Sequence, residues 1–399
     1  MVFRYYISCL TCGTPHTLRI SVGHNSYQDH SFSCANCDEG IRIRLEVNFE
    51  AITTELKYLE NCQLGDKEGV IVNLNPEFPV PQDQLHQDGI FPWLNFVHDH
   101  FSLNDDSDAR QVFEKSMVDV HMALGGVFNI LEGWECLKKA WSLANNGKEE
   151  LARKHLEKYE SKSSYEGNIN LPSMLFHFSC SLVYPGKWLL FESTAEEICR
   201  IHKNDPLKFN GFRNYFKEEL CLEHREKYFE TYSNYFKNFN EYNQVLLYSK
   251  NNKPIDESFH VSSVDFKNTK MFYGDAFEVL TVSFTTLACL NNLAKGRDFD
   301  KFEKMSLKKY MTIDKANRAN PFLDSMPFNN FAKCIDSQVR NASHHHSMKI
   351  DKKGIVYYRS PGSANWKTIP YIKYLYLCNE IMLTLCTLHL IELVLAFEE

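Results

Sequence analysis

The chain opens with alternating apolar and polar positions. Thr17-Leu18-Arg19-Ile20 and Ile41-Arg42-Ile43-Arg44-Leu45-Glu46-Val47 place their apolar side chains on one face, the period-two mark of half-buried strands. Gly69-Val70-Ile71-Val72 predicts another short strand, with residues 64–69 as a hairpin turn before it. Pro76, Pro79 and Pro81 then stiffen the chain, and a domain boundary is expected there. From Asp105 the period changes to 3.6. Asp105, Asp106, Ser107 and Asp108 supply caps, and Val112, Phe113, Met117, Val120, Met122, Leu124, Phe128 and Leu131 recur at helical intervals. Asn145-Asn146-Gly147 stops a helix, and a charged one follows over 148–159. Residues 171–190 are apolar but interrupted by Pro185-Gly186, and 194–203 again read as helix.

Residues 207–250 are rich in Phe and Tyr interleaved with lysine. The rings recur every three or four residues, so they predict a packed helical core rather than a base-stacking platform. Asn251-Asn252-Lys253-Pro254 closes this region. Beyond it, helices are expected over 276–293, 299–310 and 328–339, with Lys295-Gly296 ending the first. Residues 349–359 predict a β-hairpin turning near Lys353-Gly354, and 371–397 a long final helix. The expected fold is mainly α: a small N-terminal β domain over 1–80, a helical middle over 81–260, and an antiparallel helical bundle with a β-hairpin over 261–399.

Composition adds few constraints. Of 399 residues, 44% are hydrophobic and 24% charged, ordinary values for a globular protein with a sizeable core. The formal net charge of -7 means that anion binding must use a local basic patch. No apolar run reaches membrane-spanning length, the most apolar one being bounded by Glu380 and Glu392 and carrying His389. The N-terminal residues lack the apolar core of a signal peptide. The thirteen cysteines are odd in number and nine of them scatter among apolar neighbours, which suits reduced thiols and a cytoplasmic protein.

The remaining four cysteines are spaced for a metal. Cys9-Leu10-Thr11-Cys12 and Cys34-Ala35-Asn36-Cys37 place two thiolates on each of two tight turns. Four such ligands make the closed tetrahedron of a structural Zn2+ site, so residues 1–80 predict a zinc ribbon without catalytic function. Gly13 follows the first pair, where the turn needs a positive φ. His16, His24 and His30 lie in the intervening loop as alternative ligands.

A second chemical group lies near the C-terminus, in Arg340-Asn341-Ala342-Ser343-His344-His345-His346. A guanidinium holds phosphate oxygens by its fork geometry, and imidazoles move protons near neutral pH. Between Arg340 and Lys373 the cations are Arg340, Lys349, Lys352, Lys353, Arg359, Lys367 and Lys373, against Asp351 alone. That local excess is suited to a phosphate backbone. Five residues along a helix turn through about 140°, so Arg340 and His345 would not share a face of a regular helix, whereas His344 would.

Arg340-Asn341-x-x-x-His345 in a helical bundle, followed by a basic hairpin and one long helix, resembles the HEPN superfamily over the last third of the chain. The whole layout is similar to multi-domain bacterial abortive-infection and anti-phage proteins with a C-terminal HEPN effector. The resemblance implies a homodimer in which two motifs form one composite site. It implies a metal-independent endoribonuclease that uses the ribose 2′-hydroxyl to leave a 2′,3′-cyclic phosphate and a 5′-hydroxyl. In that scheme His345 is the general acid or base, Arg340 stabilises phosphoryl charge, and Asn341 orients the reacting groups. His344, His346, Lys349, Lys352, Lys353 and Arg359 are candidate substrate contacts, and the choice among the three histidines stays open. The expected partners are RNA, with tRNA a candidate, and a phage or host trigger sensed upstream; no membrane is implied. The competing expectation is a non-enzymatic zinc-ribbon regulator that binds nucleic acid or protein and whose bundle merely dimerises.

Overall fold

The computed structural model describes residues 1–94, 96, 130–163, 165–345, 347–360, 362 and 364–397. The helical pattern expected from Asp105 to Phe128 lies outside the described residues, as does His346. The described chain is mainly α with a small N-terminal β region.

The β region holds two sheets. Strands β1 (Val2–Cys9), β2 (Pro15–Ser21), β6 (Cys62–Leu64) and β7 (Val70–Leu74) form one in the order β6-β1-β2-β7. Strands β3 (Tyr27–Ser33), β4 (Gly40–Asn48) and β5 (Thr53–Glu60) form the other. The alternation in β4 works as its sequence implies: Ile41, Ile43 and Leu45 are buried, while Arg44 faces out and grips Asp29 at 2.5 and 2.8 Å. The turn expected over 64–69 does not make a hairpin. β6 pairs with β1, whereas β7 runs parallel to β2, so the segment crosses between opposite edges of one sheet. Alternation predicts a strand and its buried face but not its partner. The β core includes Val80 and Leu85, so it extends past the proline-rich connection.

From Ile130 the helices are α1 (Ile130–Asn145), α2 (Glu149–Lys162), α3 (Leu171–Val183), α4 (Trp188–Asn204), α5 (Pro206–Tyr215), α6 (Cys221–Lys237) and α7 (Phe239–Lys250). They are followed by α8 (Phe266–Thr269), α9 (Phe272–Ala294), α10 (Leu307–Tyr310), α11 (Ser337–His344) and α12 (Tyr371–Ala396). The apolar stretch over 171–190 divides at Tyr184-Pro185 into α3 and the start of α4. The helices expected over 299–310 and 328–339 are shorter than their patterns. The first retains α10, and the second is a 3-10 turn, Phe328–Ala332, separated from α11. Asp336 restarts the helix by accepting from the backbone of Gln338 and Val339 at 2.8 and 3.1 Å.

Helices on both sides of residue 260 share one core. α12 lies against α3, α7 and α9, and the rings of Phe212, Tyr228, Tyr232, Tyr235 and Tyr242 are fully buried. Several polar groups in this core are paired, which offsets the cost of their burial. Asn379 accepts from the Tyr235 hydroxyl at 2.8 Å and donates to the Tyr242 carbonyl at 2.9 Å. Glu392 meets His224 at 2.9 Å and accepts from Thr286 at 2.5 Å. Residues 266–294 and α12 are long and apolar enough to cross a membrane, but 83% of the most apolar window of each is buried within the protein.

The β region docks onto the helices through residues 260–264. Val80 bridges His260, Ser31 donates its N–H to the Ser262 carbonyl at 2.7 Å, and Val264 donates its N–H to the Ser31 hydroxyl at 3.0 Å. A third sheet follows α11. Its strands β8 (Met348–Ile350), β9 (Ile355–Tyr358) and β10 (Lys367–Pro370) are ordered β10-β9-β8, so the expected hairpin has gained a strand. Gly354 forms the turn at a φ of 75°.

Candidate active site

The site is built where α11 crosses α9. Tyr273 of α9 accepts the Asp336 N–H at 2.8 Å and donates to the Cys334 carbonyl at 2.7 Å, which fixes the start of α11. Ser343 donates its hydroxyl to the Lys270 carbonyl at 2.7 Å and fixes the other end. The helices approach closely at Gly274. A Cβ there would lie 2.8 to 2.9 Å from atoms of the His344 ring and the Ser343 hydroxyl. Glycine at this position gives the His344 imidazole its place against α9.

α11 presents Arg340, Asn341 and His344 toward or beside α9. Arg340 donates from Nε to Glu278 Oε1 at 2.7 Å, and its Nη2 reaches the same oxygen. Its Nη1 donates to Asn341 Oδ1 at 2.7 Å, and its guanidinium carbon lies 5.8 Å from the centre of the Phe277 ring. Of the five N–H donors on a guanidinium these contacts engage three, leaving one on each Nη for a further acceptor. Lys315 also pairs with Glu278. Burial alone would raise the Glu278 carboxyl, but hydrogen bonds and charge from Lys315 and Arg340 outweigh it and hold the group below the usual carboxylate range. One turn earlier, Asp275 lies 4.0 Å from His344 Nε2, too far for a hydrogen bond. Burial raises the Asp275 carboxyl, and the charges of Glu230 and Glu278 add to this against His344.

His345 is placed differently. α11 ends at His344, and His345 is its exposed C-cap, donating its backbone N–H to the Asn341 carbonyl at 3.1 Å. Thus Arg340 and His344 point toward α9 while His345 is open to solvent. Ser347 donates its N–H to the Ala342 carbonyl at 2.9 Å and turns the chain directly into β8. The basic residues separate into two places. Lys349 and Arg359 lie next to α11 on β8 and just after β9, both exposed. Lys352 and Lys353 sit at the β8–β9 turn, where Lys352 reaches Glu39 of the β region at 3.2 Å.

Asp275, Glu278 and Lys315 did not stand out in the sequence, being about 60 and 25 residues from Arg340. A signal was present for the first two. They are the charges of an otherwise uncharged α9, three residues apart and so on one face. Their pairing predicts an effect of pH. A carboxyl held below its unfolded value stabilises the fold fully above the ordinary carboxylate range and loses that contribution as pH falls through the depressed value. Glu278→Gln is therefore expected to lower stability at neutral pH by about 1 kcal/mol. It should also flatten the acid limb of a plot of Tm against pH. Superimposable acid limbs for variant and wild type would contradict this placement of Glu278.

The second group of functional side chains is in the β region. Cys9, Cys12, Cys34 and Cys37 bring their sulfur atoms within 4.8 Å of one another and could hold one metal ion. A tetrahedron with metal–sulfur bonds of about 2.3 Å has edges of about 3.8 Å. Cys9 and Cys37 are 3.8 Å apart, and Cys12 and Cys34 are 3.6 Å apart. The two turns are built alike. Gly13 donates its N–H to the Cys9 carbonyl at 2.9 Å, and Asp38 donates to the Cys34 carbonyl at 3.0 Å, with φ of 73° and 57°. The sequence flagged the glycine; Asp38 occupies the same left-handed position without one. None of the three loop histidines joins the cluster. His16 is buried and accepts the Ala35 N–H at 3.2 Å, so it supports the second turn from below. His24 pairs with Glu77, and burial pushes His30 down to about 4.

No protein-family model, curated protein or solved structure matches this chain.

Proposed function

We propose that the chain is a metal-independent endoribonuclease of the HEPN type, acting as a toxin-like effector in anti-phage defence. The observation that carries the reading is the end of α11. A guanidinium oriented by Glu278 and Asn341 keeps two free donors, two imidazoles follow at the helix end, and exposed Lys349 and Arg359 adjoin them. These are the parts that 2′-hydroxyl attack on phosphorus needs. An imidazole takes the 2′ proton, phosphorus forms a bond to the 2′ oxygen, the bond to the 5′ oxygen breaks, and that oxygen receives a proton. The free Arg340 donors meet the charge growing on the phosphoryl oxygens. Of the two described histidines at this helix end, His345 is the exposed one, which suits a composite site completed by a second copy of the chain. The ion in the four-cysteine site is read as Zn2+ with a structural role, since four thiolates leave no open position.

Arg340 bound to Glu278 also suits a helix pair that is merely held together, and this favours a second reading: a non-enzymatic regulator that binds nucleic acid or protein. The ends of the RNA products separate the two. Mass spectrometry of a cleaved oligonucleotide should show a 2′,3′-cyclic phosphate and a 5′-hydroxyl. A 5′-phosphate would refute the mechanism, and intact RNA in the presence of phage-infected extract would favour the regulator.

A further inference from the structure

The third sheet has an outer face that sequence spacing did not reveal. Lys349 pairs with Tyr357, and Tyr357 with Thr368, so these three side chains form one row across β8, β9 and β10. The pairing of Lys367 with Tyr358 sets Trp366 opposite Arg359 in the next row of the same face. Contacts agree with this register. The Arg359 guanidinium lies 4.6 Å and the Lys349 ammonium 5.0 Å from the centre of the Trp366 ring, and Lys349 is 5.6 Å from that of Tyr357. Trp366 keeps 40% of its surface exposed. The acid on this face, Asp351, is already engaged by the N–H groups of Lys353 and Ile355 and the Tyr357 hydroxyl.

We propose that this face is a nucleobase-stacking subsite for single-stranded RNA, centred on Trp366 and flanked by Lys349 and Arg359. The assignment rests on the ribonuclease reading above and deepens it by naming the form of substrate held. An exposed indole next to two cations supplies both things that a single strand offers a partner: a π-face for a base and charge for the neighbouring phosphates. A duplex keeps its bases stacked inward and cannot use the ring. The location fits, because Ser347, two residues after His345, accepts the Arg359 N–H at 3.2 Å, so a strand lying on this face passes the exposed imidazole.

The test is a binding titration by fluorescence anisotropy with labelled 2′-O-methyl oligonucleotides, which cannot be cut by 2′-hydroxyl attack. One is base-bearing, and its counterpart is abasic at alternate positions. Wild type should bind the base-bearing strand about tenfold more tightly. Trp366→Ala should remove that difference, and Trp366→Tyr should restore most of it. Equal affinity of wild type for both strands, or a preference that survives in Trp366→Ala, would overturn the proposal. Unmodified RNA assayed with the same preparations keeps the two ideas apart. Cleavage without base preference refutes the stacking subsite alone, whereas base preference without cleavage refutes the ribonuclease reading and leaves a single-strand binding face.

Discussion

Alanine at His345 is expected to lower RNA cleavage by about 10² to 10⁴, the range that one positioned proton-transfer group supplies. Arg340→Ala should cost at least about 10², because it removes the donors proposed to meet the phosphoryl oxygens. The two variants differ in what else they disturb. His345 is an exposed cap, so its loss should leave Tm unchanged within about 2 °C. Arg340 is tied to Glu278 and Asn341, so its removal leaves Glu278 with Lys315 alone and should cost about 1 to 2 kcal/mol of stability. His344→Ala gives the needed contrast. If cleavage survives in His345→Ala and disappears in His344→Ala, the working imidazole is the one against Gly274. The assignment of His345 is then wrong, though the reaction class stands.

Replacing Cys34 and Cys37 together by serine should abolish metal binding at the four-cysteine cluster and unfold the N-terminal sheets. A structural Zn2+ held there, as proposed, would stand in for core that a region of this size has little of, and such ions contribute many kcal/mol to small folds. A loss of at least about 3 kcal/mol is expected, read as rapid proteolysis within residues 1–80 and as absence of zinc in elemental analysis of the variant. The helices should keep their far-ultraviolet dichroism, since their core is a separate cluster of buried side chains. A wild-type protein purified without metal, or a double variant as protease-resistant as wild type, would contradict the structural role of the four thiolates. The β region also touches the proposed nuclease: Glu39, two residues beyond Cys37, meets Lys352 at the β8–β9 turn.

Much of this architecture was written in local pattern. Period-two alternation located β2 and β4, and the 3.6-residue recurrence of rings located the packed faces of α5 to α7. Both signals arise from a buried face, and both weaken where burial is decided by distant chain. Residues 328–339 read as one amphipathic helix because Phe328, Phe331 and Val339 are all buried, yet the chain turns between Ala332 and Asp336. The parallel pairing of β7 with β2 was equally hidden, since register across a sheet leaves no mark in one strand.

The candidate site divides in the same way. Arg340, Asn341 and the histidines stand together in the chain, as do the cysteine pairs, so spacing exposed them. Glu278 and Lys315 join Arg340 only through the crossing of α9 and α11, and a helix crossing follows from packing rather than from any motif. Trp366 is hidden in the sequence for another reason. A lone tryptophan in a polar loop has no period, and its relation to Lys349 and Arg359 emerges only when β10 pairs with β9.

The most direct measurement is cleavage of total RNA and tRNA by the purified, metal-loaded protein, wild type against His345→Ala, with EDTA in the buffer and no added divalent cation. Wild type should produce discrete fragments within minutes while His345→Ala leaves the RNA intact. RNA left equally intact by both even after addition of phage-infected extract, or equally cut by both, would contradict the account.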